Sequence, residues 1–447
     1  MIRQMNRRQW ARCSALGVLG FSCSGWLPAL SAWASANQVV PKKKCILLWM
    51  SGGPSQLETF DPKSGHENGG PTGSIETSVP GIRFAEHLPQ LAKVAEHMAV
   101  IRSMSTKEGD HSRATYFNHT GYLPQGPLRY PTMGSFLGRE LKDAGCDLPA
   151  FVSVNPFRAF SPAAFGPGFL GPSWSPLVVE SQTGGQGTDQ QLSFEVSNLR
   201  PASDIASERS ARRLQLLTGF EHDFLAQRPG TPGRSHQEAY QQAVRMMKSS
   251  AVKAFDLDGE DAMLRDAYGR NPFGQGCLLA RRLIENGVSF VEVTLSGADG
   301  TGGGAGWDTH QDNFSAVGSL CQVLDPAWST LINDLQQRGL LQDTLVVWMG
   351  EFGRTPKINE NTGRDHWPKC WSTALCGAGI RGGQVLGATS ADGMEVIDHA
   401  VGVPDLIATV CAALGLDHQS TNPSNIGRPI PLADHGAAPI EQLLTSG

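Results

Sequence analysis

The segment Cys45-Ile46-Leu47-Leu48-Trp49-Met50 is an uninterrupted apolar run that ends at Ser51-Gly52-Gly53-Pro54. A run of this length, bounded by glycine and proline, is typical of a strand that is buried on both faces and followed by a sharp loop. A second run, Thr344–Met349, ends at Gly350-Glu351-Phe352-Gly353-Arg354 in the same way. Two such strands favour a parallel sheet that is covered by helices on both sides.

The segments around these strands alternate between strand and helix periodicity. Val288–Leu295 is a predicted strand that lies between two predicted helices, Gly276–Asn286 and Asn313–Arg338. The periodicity of Phe84–His97 also predicts a helix. This alternation predicts an α/β fold, a doubly wound and mostly parallel sheet, with a helical insertion around residues 200–270.

Composition narrows the class of protein further. The 447 residues include Gly 52 and Pro 28, with 40% hydrophobic and only 18% charged residues. A chain with this apolar content buries enough surface to offset the entropy cost of folding, so the composition argues against extensive disorder. The formal net charge of −5 indicates no basic surface. We therefore expect no nucleic-acid partner.

The first 36 residues differ from the rest of the chain. Arginines at positions 3, 7, 8 and 12, with no acidic residue, precede a moderately apolar stretch that ends at Ala34-Ser35-Ala36. This order predicts a cleavable export signal, and the Arg7-Arg8 pair resembles a twin-arginine signal. An amphipathic N-terminal helix is the alternative. We expect a periplasmic or secreted protein in which residues 37–447 form one α/β domain.

Removal of residues 1–36 changes the charge and the cysteine count of the chain. The net charge falls from −5 to −9 because four arginines leave. The nine cysteines become seven, an odd number that requires at least one free thiol, and no C-x-x-C motif is present. No remaining stretch approaches the roughly 18 apolar residues of a membrane span, so we expect none in the mature chain.

Several nucleotide-binding and catalytic motifs are absent from the sequence. It contains no P-loop, no H-E-x-x-H and no G-x-S-x-G motif. The glycine run at residues 302–304 lacks the spacing of a dinucleotide-binding fingerprint. None of these motifs therefore identifies a functional site. Any site has to be sought among polar residues that lie apart in the sequence.

Acids and histidines follow the predicted strands, where ligands bind in open α/β sheets. They are Asp308 and His310 after Val288–Leu295, Glu351 after Thr344–Met349, and Asp365 and His366 in the next loop. Two histidines with three carboxylates fit a mixed site for zinc, manganese or iron, with one or two ions. Hydrogen-bonded turn pairs are the alternative for the Asp-His pairs, and Glu351 could instead cap a helix or pair with Arg354.

A polar segment further upstream offers additional site residues. His111 could act as an extra ligand or a general acid, and Arg113 could hold an anionic substrate through its guanidinium. Hydroxyls that could serve as nucleophiles are Ser51, Ser55, Thr106 and Ser112. The alternative for the upstream residues is a polar loop that caps a short helix, Arg113–Phe117.

Five runs in the sequence are similar to an exported bacterial family, the domain-of-unknown-function family 1501, which is placed near the sulfatases in the alkaline-phosphatase-like superfamily. They are Met50–Ser55, Thr59–Lys63, Trp307–His310, Gly350–Pro356 and Gly363–Pro368. The resemblance covers the whole chain after residue 36. It implies an alkaline-phosphatase-like sheet with metal ligands at the strand ends.

The resemblance also implies a metal-dependent hydrolase of phosphate or sulfate esters, small anionic molecules or glycans. We expect a divalent metal, zinc, manganese or calcium, as one or two ions. The expected metal ligands are Asp308, His310, Glu351, Asp365 and His366. The expected catalytic residues are Ser51, Thr106, His111, Ser112, Arg113 and Arg354.

This sequence departs from the superfamily pattern at two positions. Met50-Ser51 stands where a metal-binding aspartate usually ends the first strand, and Glu351-Phe352 stands where an Asp-His pair is usual. No motif that matures to formylglycine is present. A non-catalytic surface or carbohydrate-binding protein on the same fold is therefore the alternative function.

Overall fold

A nine-stranded sheet is the centre of the computed structural model. The structure describes residues 42–184, 191–196, 207–227, 231–300 and 304–445. The predicted export signal, residues 1–36, lies outside these described residues. The strands in chain order are β1 Lys44–Met50, β2 Met98–Met104, β3 Phe151–Val154, β4 Leu177–Gly184, β5 Gln191–Glu195, β6 Phe290–Leu295, β7 Thr344–Met349, β8 Trp371–Gly377 and β9 Gln384–Leu386.

The sheet is mixed but mostly parallel, in the order β9-β2-β8-β7-β1-β6-β3-β4-β5. β1 lies between β6 and β7 and is parallel to both. Two strands run in the opposite direction: β8 is antiparallel to β2 and β7, and β5 is antiparallel to β4. The carboxyl ends of β1, β3, β6 and β7 therefore meet at one edge of the sheet.

Helices pack on both faces of this sheet. The helices in the described residues are α1 His111–Thr120, α2 Met133–Leu141, α3 Ser207–Gln227, α4 Thr231–Lys248, α5 Ala262–Tyr268, α6 Pro272–Glu285, α7 Asn313–Gln337 and α8 Val403–Ala413. Side chains of α6 and α7 share one core cluster with the sheet, and those of α2 and α8 share another. This arrangement confirms the predicted doubly wound α/β fold.

The alternation of side chains along β1 shows why the sheet needs cover on both faces. Ile46, Leu48 and Met50 enter the core beside α6 and α7, whereas Leu47 and Trp49 enter the core beside α2 and α8. All five are at most 1% exposed. Because successive side chains of a strand point to opposite faces, an apolar run without polar alternation produces two cores.

Shorter elements connect the main ones. Two-stranded sheets pair Ser74–Glu76 with Arg83–Ala85, Gly353–Arg354 with His366–Trp367, Ala388–Thr389 with Val396–Asp398, and Thr421–Pro423 with Pro429–Pro431. The 3-10 helices are Glu67–Gly69, Leu91–His97, Pro162–Phe165, Gly168–Leu170, Pro172–Trp174, Ser250–Phe255, Leu341–Asp343 and Glu441–Leu443. In the described residues no helix is long and apolar enough to span a membrane.

The structure corrects one local prediction. Phe84–His97 was predicted as a single helix, but its first residues pair as a strand and only Leu91–His97 is helical, in 3-10 form. Pro89 disfavours helical backbone at the residue before it, which separates the two segments. The predicted helix Asn313–Arg338 is confirmed and ends one residue earlier, at Gln337.

Candidate metal centre

The centre begins where β1 and β7 end side by side. Trp49 of β1 is paired in register with Met349 of β7, so Ser51 and Glu351 follow at the same edge. The backbone N–H of Gly52 donates a hydrogen bond of 2.9 Å to Glu351 Oε1. Glu351 is 0% exposed. A carboxylate is thus held inside the protein at the carboxyl edge of two central strands.

The loop after β6 brings Asp308 to the same place. The backbone N–H of Trp307 donates to the carbonyl of Ser51 over 3.3 Å. Asp308 Oδ1 accepts a 2.6 Å hydrogen bond from Nη2 of Arg354, a side chain that is fully buried. The Asp308 carboxylate is therefore fixed by the end of β1 on one side and by a buried guanidinium on the other.

His366 and His111 come from two further segments. His366 lies opposite Arg354 in the small antiparallel pair Gly353–Arg354 with His366–Trp367. His111 is the first residue of α1, and Asp110 caps that helix by accepting a 3.0 Å hydrogen bond from the backbone N–H of Arg113. Helix capping of this kind sets the direction in which the first side chain of the helix leaves the backbone.

Three imidazoles converge on the Asp308 carboxylate. Nε2 of His111 lies 3.3 Å from Asp308 Oδ2, and Nε2 of His310 and of His366 lie 3.1 and 3.2 Å from Oδ1. Nε2 of His310 is also 3.0 Å from Nε2 of His366. One ligand atom each from His111, Asp308 and His366 lies within 4.8 Å of the others, a spacing that suits a single ion.

The opposite nitrogen of each ring faces an oxygen acceptor. Nδ1 of His111 is 2.8 Å from Glu351 Oε1, and Nδ1 of His310 is 2.8 Å from Asp365 Oδ1. Nδ1 of His366 is 2.8 Å from the carbonyl oxygen of Gly109. An ionised carboxylate or a carbonyl only accepts, so the proton of each neutral ring belongs on Nδ1. Each Nε2 then faces Asp308 either as an N–H donor of a protonated ring or, beside a bound cation, as a lone-pair donor to that cation.

The charges of the centre stabilise one another. Burial alone would lower the pKa of His111, but its hydrogen bonds with Asp308 and Glu351 outweigh burial and raise the pKa to about 9. Burial opposes ionisation of Asp308, yet His111, His366 and Arg354 hold the pKa of its carboxyl well below the usual range. Asp308 is therefore an anion whenever the site is assembled.

The other two predicted metal ligands, Glu351 and Asp365, each contact a histidine ring. Glu351 Oε1 lies against Nδ1 of His111, and Asp365 Oδ1 lies against Nδ1 of His310. Asp308, His310 and His366 lie close together, with Nε2 of each histidine near Asp308 Oδ1. His111, predicted as an extra ligand or a general acid, groups with Asp308 and His366 at a spacing that could hold an ion. The two carboxylates are thus placed to orient the imidazole rings of His111 and His310.

The arginines predicted to hold substrate are already engaged. Arg354 donates from Nε to the carbonyl of Gly53 over 3.0 Å, from Nη1 to the carbonyl of Arg364 over 3.2 Å, and from Nη2 to Gly52 O and Asp308. Arg113 is exposed and pairs with Glu108 through two hydrogen bonds of 2.6 and 2.9 Å. Neither guanidinium is free to bind an anionic ester.

The hydroxyls predicted as nucleophiles differ in exposure. Ser51 is 1% exposed and Ser55 0%. The hydroxyls of Ser51, Ser55 and Thr106 make no hydrogen bond to any residue in the described ranges. Ser112 is exposed on the first turn of α1. Among these candidates Ser51 lies at the end of β1, next to the Gly52 N–H that contacts Glu351.

A buried ion pair beneath the centre was missed in the sequence. Glu58 and Arg364 are both fully buried, and Arg364 donates from Nη2 to Glu58 Oε1 over 2.7 Å and from Nε to Oε2 over 3.1 Å. The backbone N–H of Arg364 donates to the carbonyl of Thr309 over 2.9 Å. The backbone bond therefore ties the loop that carries His310 to the loop that carries His366, and the ion pair ties that second loop to the loop after β1. Its only sequence signal is one acid in an otherwise uncharged segment, Ser51–Phe60.

A second buried polar group lies under α1, apart from the centre. Glu292 of β6 and His119 of α1 are both 0% exposed, and Nε2 of His119 is 3.7 Å from Glu292 Oε2. Nδ1 of His119 faces the carbonyl of Thr115 at 2.9 Å. A charged residue within the run Val288–Leu295 was the visible signal in the sequence, although a buried partner on α1 could not be inferred from it.

Comparison with solved structures finds distant likenesses. The chain is similar to the PsFucS1 sulfatase from Pseudoalteromonas sp. at 12% identity, with a TM-score of 0.38 over 91% of this chain and 75% of that one. It is similar to a protein in the alkaline phosphatase superfamily from Vibrio parahaemolyticus at 10% identity, with a TM-score of 0.38 over 84% and 67%. It is similar to the phosphonate monoester hydrolase of Agrobacterium radiobacter at 12% identity, with a TM-score of 0.29 over 90% and 77%.

Comparison at the level of sequence is more specific. No curated protein matches the chain. The profile of the family described as "Protein of unknown function (DUF1501)" matches residues 42–444, which is most of the sequence. The matched residues include all the side chains of the centre. The chain therefore belongs to the DUF1501 family.

Proposed function

We propose that His111, Asp308, His310 and His366 bind one divalent cation. The observation that carries the proposal is the 3.0 Å distance between Nε2 of His310 and Nε2 of His366. Because Nδ1 of each ring faces an oxygen acceptor, the two rings in their neutral forms present Nε2 lone pairs to each other and to Asp308. Electron pairs at this distance repel unless a proton or a cation lies among them.

The donor set favours zinc or manganese over calcium. Three imidazole nitrogens and one carboxylate match the ligands of zinc, and imidazole also suits other transition metals. Calcium takes oxygen ligands almost entirely, which three histidines do not supply. Glu351, Asp365 and the Gly109 carbonyl complete the site by fixing the ring orientations, as outer partners of ligating histidines do.

We further propose that the centre hydrolyses phosphate or sulfate esters. A divalent cation bound there supplies Lewis-acid polarisation of an ester oxygen and lowers the pKa of a water molecule. His310 is 42% exposed and Asp365 58%, so this side of the centre is open to solvent and substrate. His111, at 13% exposure, and Glu351 form the closed side. The buried Phe352 ring packs against His366, with 4.6 Å between the ring centroids.

Hydrolysis is tested by turnover of p-nitrophenyl phosphate and p-nitrophenyl sulfate. We expect turnover by zinc- or manganese-loaded protein, loss after chelation, and recovery when the metal is restored. His310→Ala should lower kcat/KM by more than about 100-fold because it removes a metal ligand. His435→Ala, at an exposed histidine, is the matched control and should retain full activity.

The same panel separates hydrolysis from a binding function. Stoichiometric metal without turnover of either ester would contradict the hydrolase. If that protein bound glycans, the non-catalytic alternative would replace it. Turnover that persists in the chelated protein would contradict the metal dependence instead.

We also propose that the chain is exported and that residues 37–447 act as one domain. The support is the arginine-bearing sequence of residues 1–36 and its small-residue end at Ala34-Ser35-Ala36. Arg7→Lys combined with Arg8→Lys should retain the protein in the cytoplasm, measured by cell fractionation. Unchanged export of the double variant would contradict a twin-arginine signal.

A further inference from the structure

The loop that follows β3 covers one side of the metal centre. The ring of Phe160 stacks on the ring of His111, with 4.0 Å between centroids and 9° between planes. Phe157 meets Phe160 edge to face, with centroids 5.0 Å apart. β3 belongs to the same parallel set as β1 and β6, so its loop emerges at the edge where the centre lies. The loop is thus a wall of the site.

This loop is fixed at both ends. Asn155, just after β3, has left-handed backbone with φ of 50°, and its Oδ1 accepts a 2.7 Å hydrogen bond from the backbone N–H of Ser181. Ser161, at the other end, accepts a 2.9 Å hydrogen bond from the backbone N–H of Ala164. A non-glycine residue in this conformation needs such support, so the middle of the loop is presented in a set direction.

Arg158 stands in the middle of the loop with a free guanidinium. It is exposed. It lies between Phe157 and Phe160, the two rings that connect the loop to His111. No hydrogen bond or ion pair joins its side chain to any other residue in the described part of the chain, whereas the remaining arginines around the centre are engaged. Arg354 holds Asp308, Arg364 holds Glu58, and Arg113 pairs with Glu108.

The charge of the centre explains why a free cation is needed there. Asp308, Glu351 and Asp365 supply three negative charges, which a divalent cation and Arg354 balance. A phosphate or sulfate ester then adds negative charge without a counter-charge. An arginine supplies paired N–H donors that match two oxygens of a tetrahedral anion, which a lysine ammonium does not.

We propose that Arg158 binds the anionic group of the substrate and that the Phe157–Phe160 loop is the specificity element of the site. The proposal rests on the proposed function and adds its substrate class: an ester whose tetrahedral oxyanion is bound by Arg158 beside the His111 ligand. Lys107 is an exposed lysine that would compete for this role, because it lies two residues from Gly109, the partner of His366.

Inorganic phosphate is the probe of the anion site. Isothermal titration of zinc-loaded protein in 150 mM NaCl should show that Arg158→Ala weakens phosphate binding about tenfold or more, with Arg158→Lys between the two. Lys107→Ala should change the dissociation constant less than about threefold. Arg212→Ala, at an exposed arginine on α3, is the matched control and should leave binding unchanged. Zinc content, measured on the same samples, should be equal in all variants.

The possible outcomes distinguish failure of the Arg158 proposal from failure of the proposed metal-dependent hydrolysis. Zinc-loaded protein that binds phosphate equally well with and without Arg158 would overturn the role of Arg158 and leave the metal centre intact. Zinc-loaded wild type that binds no phosphate would overturn the anion site as well. Protein that binds no zinc contradicts the proposed function itself. With p-nitrophenyl phosphate, Arg158→Ala should raise KM and leave kcat within about threefold.

Discussion

Arg354 is a structural clamp in this fold rather than a substrate-binding residue. Its guanidinium is 0% exposed and donates to carbonyls of Gly52, Gly53 and Arg364 as well as to Asp308. A residue next to a metal-ligand motif is easily predicted to bind an anion, because sequence does not show how many backbone carbonyls surround it. The burial of a charged group with four of its five N–H donors used is visible only in three dimensions.

Replacement of Arg354 should therefore reduce stability more than it alters substrate affinity. We expect Arg354→Met to lower the free energy of unfolding by about 3–5 kcal/mol, since it leaves buried acceptors unpaired. Arg354→Lys should retain less than half of the stability that Arg354→Met loses, because an ammonium lacks the planar array of donors of a guanidinium. Urea unfolding measures both. Arg113→Met removes an exposed ion pair and should leave the urea midpoint of unfolding nearly unchanged. An equal loss of stability in Arg113→Met and Arg354→Met would contradict the structural role of Arg354.

Glu351 orients His111 without contacting the ion in the proposed arrangement. Its Oε1 accepts from both Gly52 N–H and His111 Nδ1. Glu351→Gln keeps an oxygen for both bonds but removes the charge, so we expect zinc affinity to fall about 10–100-fold with the fold retained. Competition with a chromogenic chelator measures the affinity.

Asp365→Asn is the matched variant for Glu351→Gln, because Asp365 contacts Nδ1 of His310 in the same manner. A comparable fall in affinity is expected there. Complete loss of zinc in Glu351→Gln would show that Glu351 is itself a ligand, as the sequence suggested. Wild-type affinity in both variants would contradict the orienting role of the two carboxylates.

The strand–loop junction after β1 decides whether the centre can assemble. Gly52 has φ of +114°, and a Cβ placed there would lie 2.4 Å from the backbone nitrogen of Asp308. The glycine is required both by its backbone conformation and by the close approach of the ligand-bearing loop. An apolar strand followed by Ser-Gly-Gly-Pro predicted a turn here, but the segment that packs against it is more than 250 residues away in the chain.

Gly52→Ala should accordingly displace Asp308. We expect a loss of about 3 kcal/mol in unfolding free energy and a large fall in zinc affinity, because backbone atoms have to move. Gly81→Ala is the control: Gly81 also has a positive φ, +83°, but nothing lies within 4 Å of a Cβ there. Gly81→Ala should lower the unfolding free energy by only about 1 kcal/mol and leave zinc affinity unchanged. Equal zinc affinity in the two variants would contradict the close-approach argument.

At the level of elements, most helices and strands could be predicted from local sequence patterns. The apolar runs of β1 and β7 are local patterns, and so is the helical spacing of Leu320, Leu324, Leu331 and Leu335 in α7. Each pattern can therefore be recognised from neighbouring residues alone. The prediction of one helix over Phe84–His97 was wrong because a proline, Pro89, divides this segment. The geometry of the centre was harder to predict. Asp308 and His310 are visible in the sequence as a pair, but the roles of Glu351 and His111 depend on which nitrogen of the His111 ring faces the Glu351 carboxylate.

At the scale of the whole molecule, the two cores of the sheet bury most of the thiols. All seven cysteines in the described residues are unpaired, six of them are buried, and Cys146 alone of the seven is half-exposed. Burial raises the pKa of the Cys146 thiol, which slows its reaction near neutral pH. The described cysteines therefore take part in packing and form no disulfide, in a chain that we propose to be exported.

Thiol titration tests this view of the molecule. We expect Ellman's reagent to modify about one thiol per mature chain in the native state and all seven after unfolding in guanidinium. Cys146→Ser should abolish the native reaction, and Cys277→Ser, at a fully buried site, should leave it unchanged. Fewer than seven reactive thiols in the unfolded, unreduced protein would show that disulfides form.

The metal content of the purified mature protein tests the central claim most directly. Elemental analysis by mass spectrometry compares wild type with the double variant Asp308→Ala and His310→Ala. We predict about one zinc or manganese ion per wild-type chain and none in the double variant, which retains only two of the four proposed ligands. Full retention of the metal in the folded double variant would contradict the assignment of this centre.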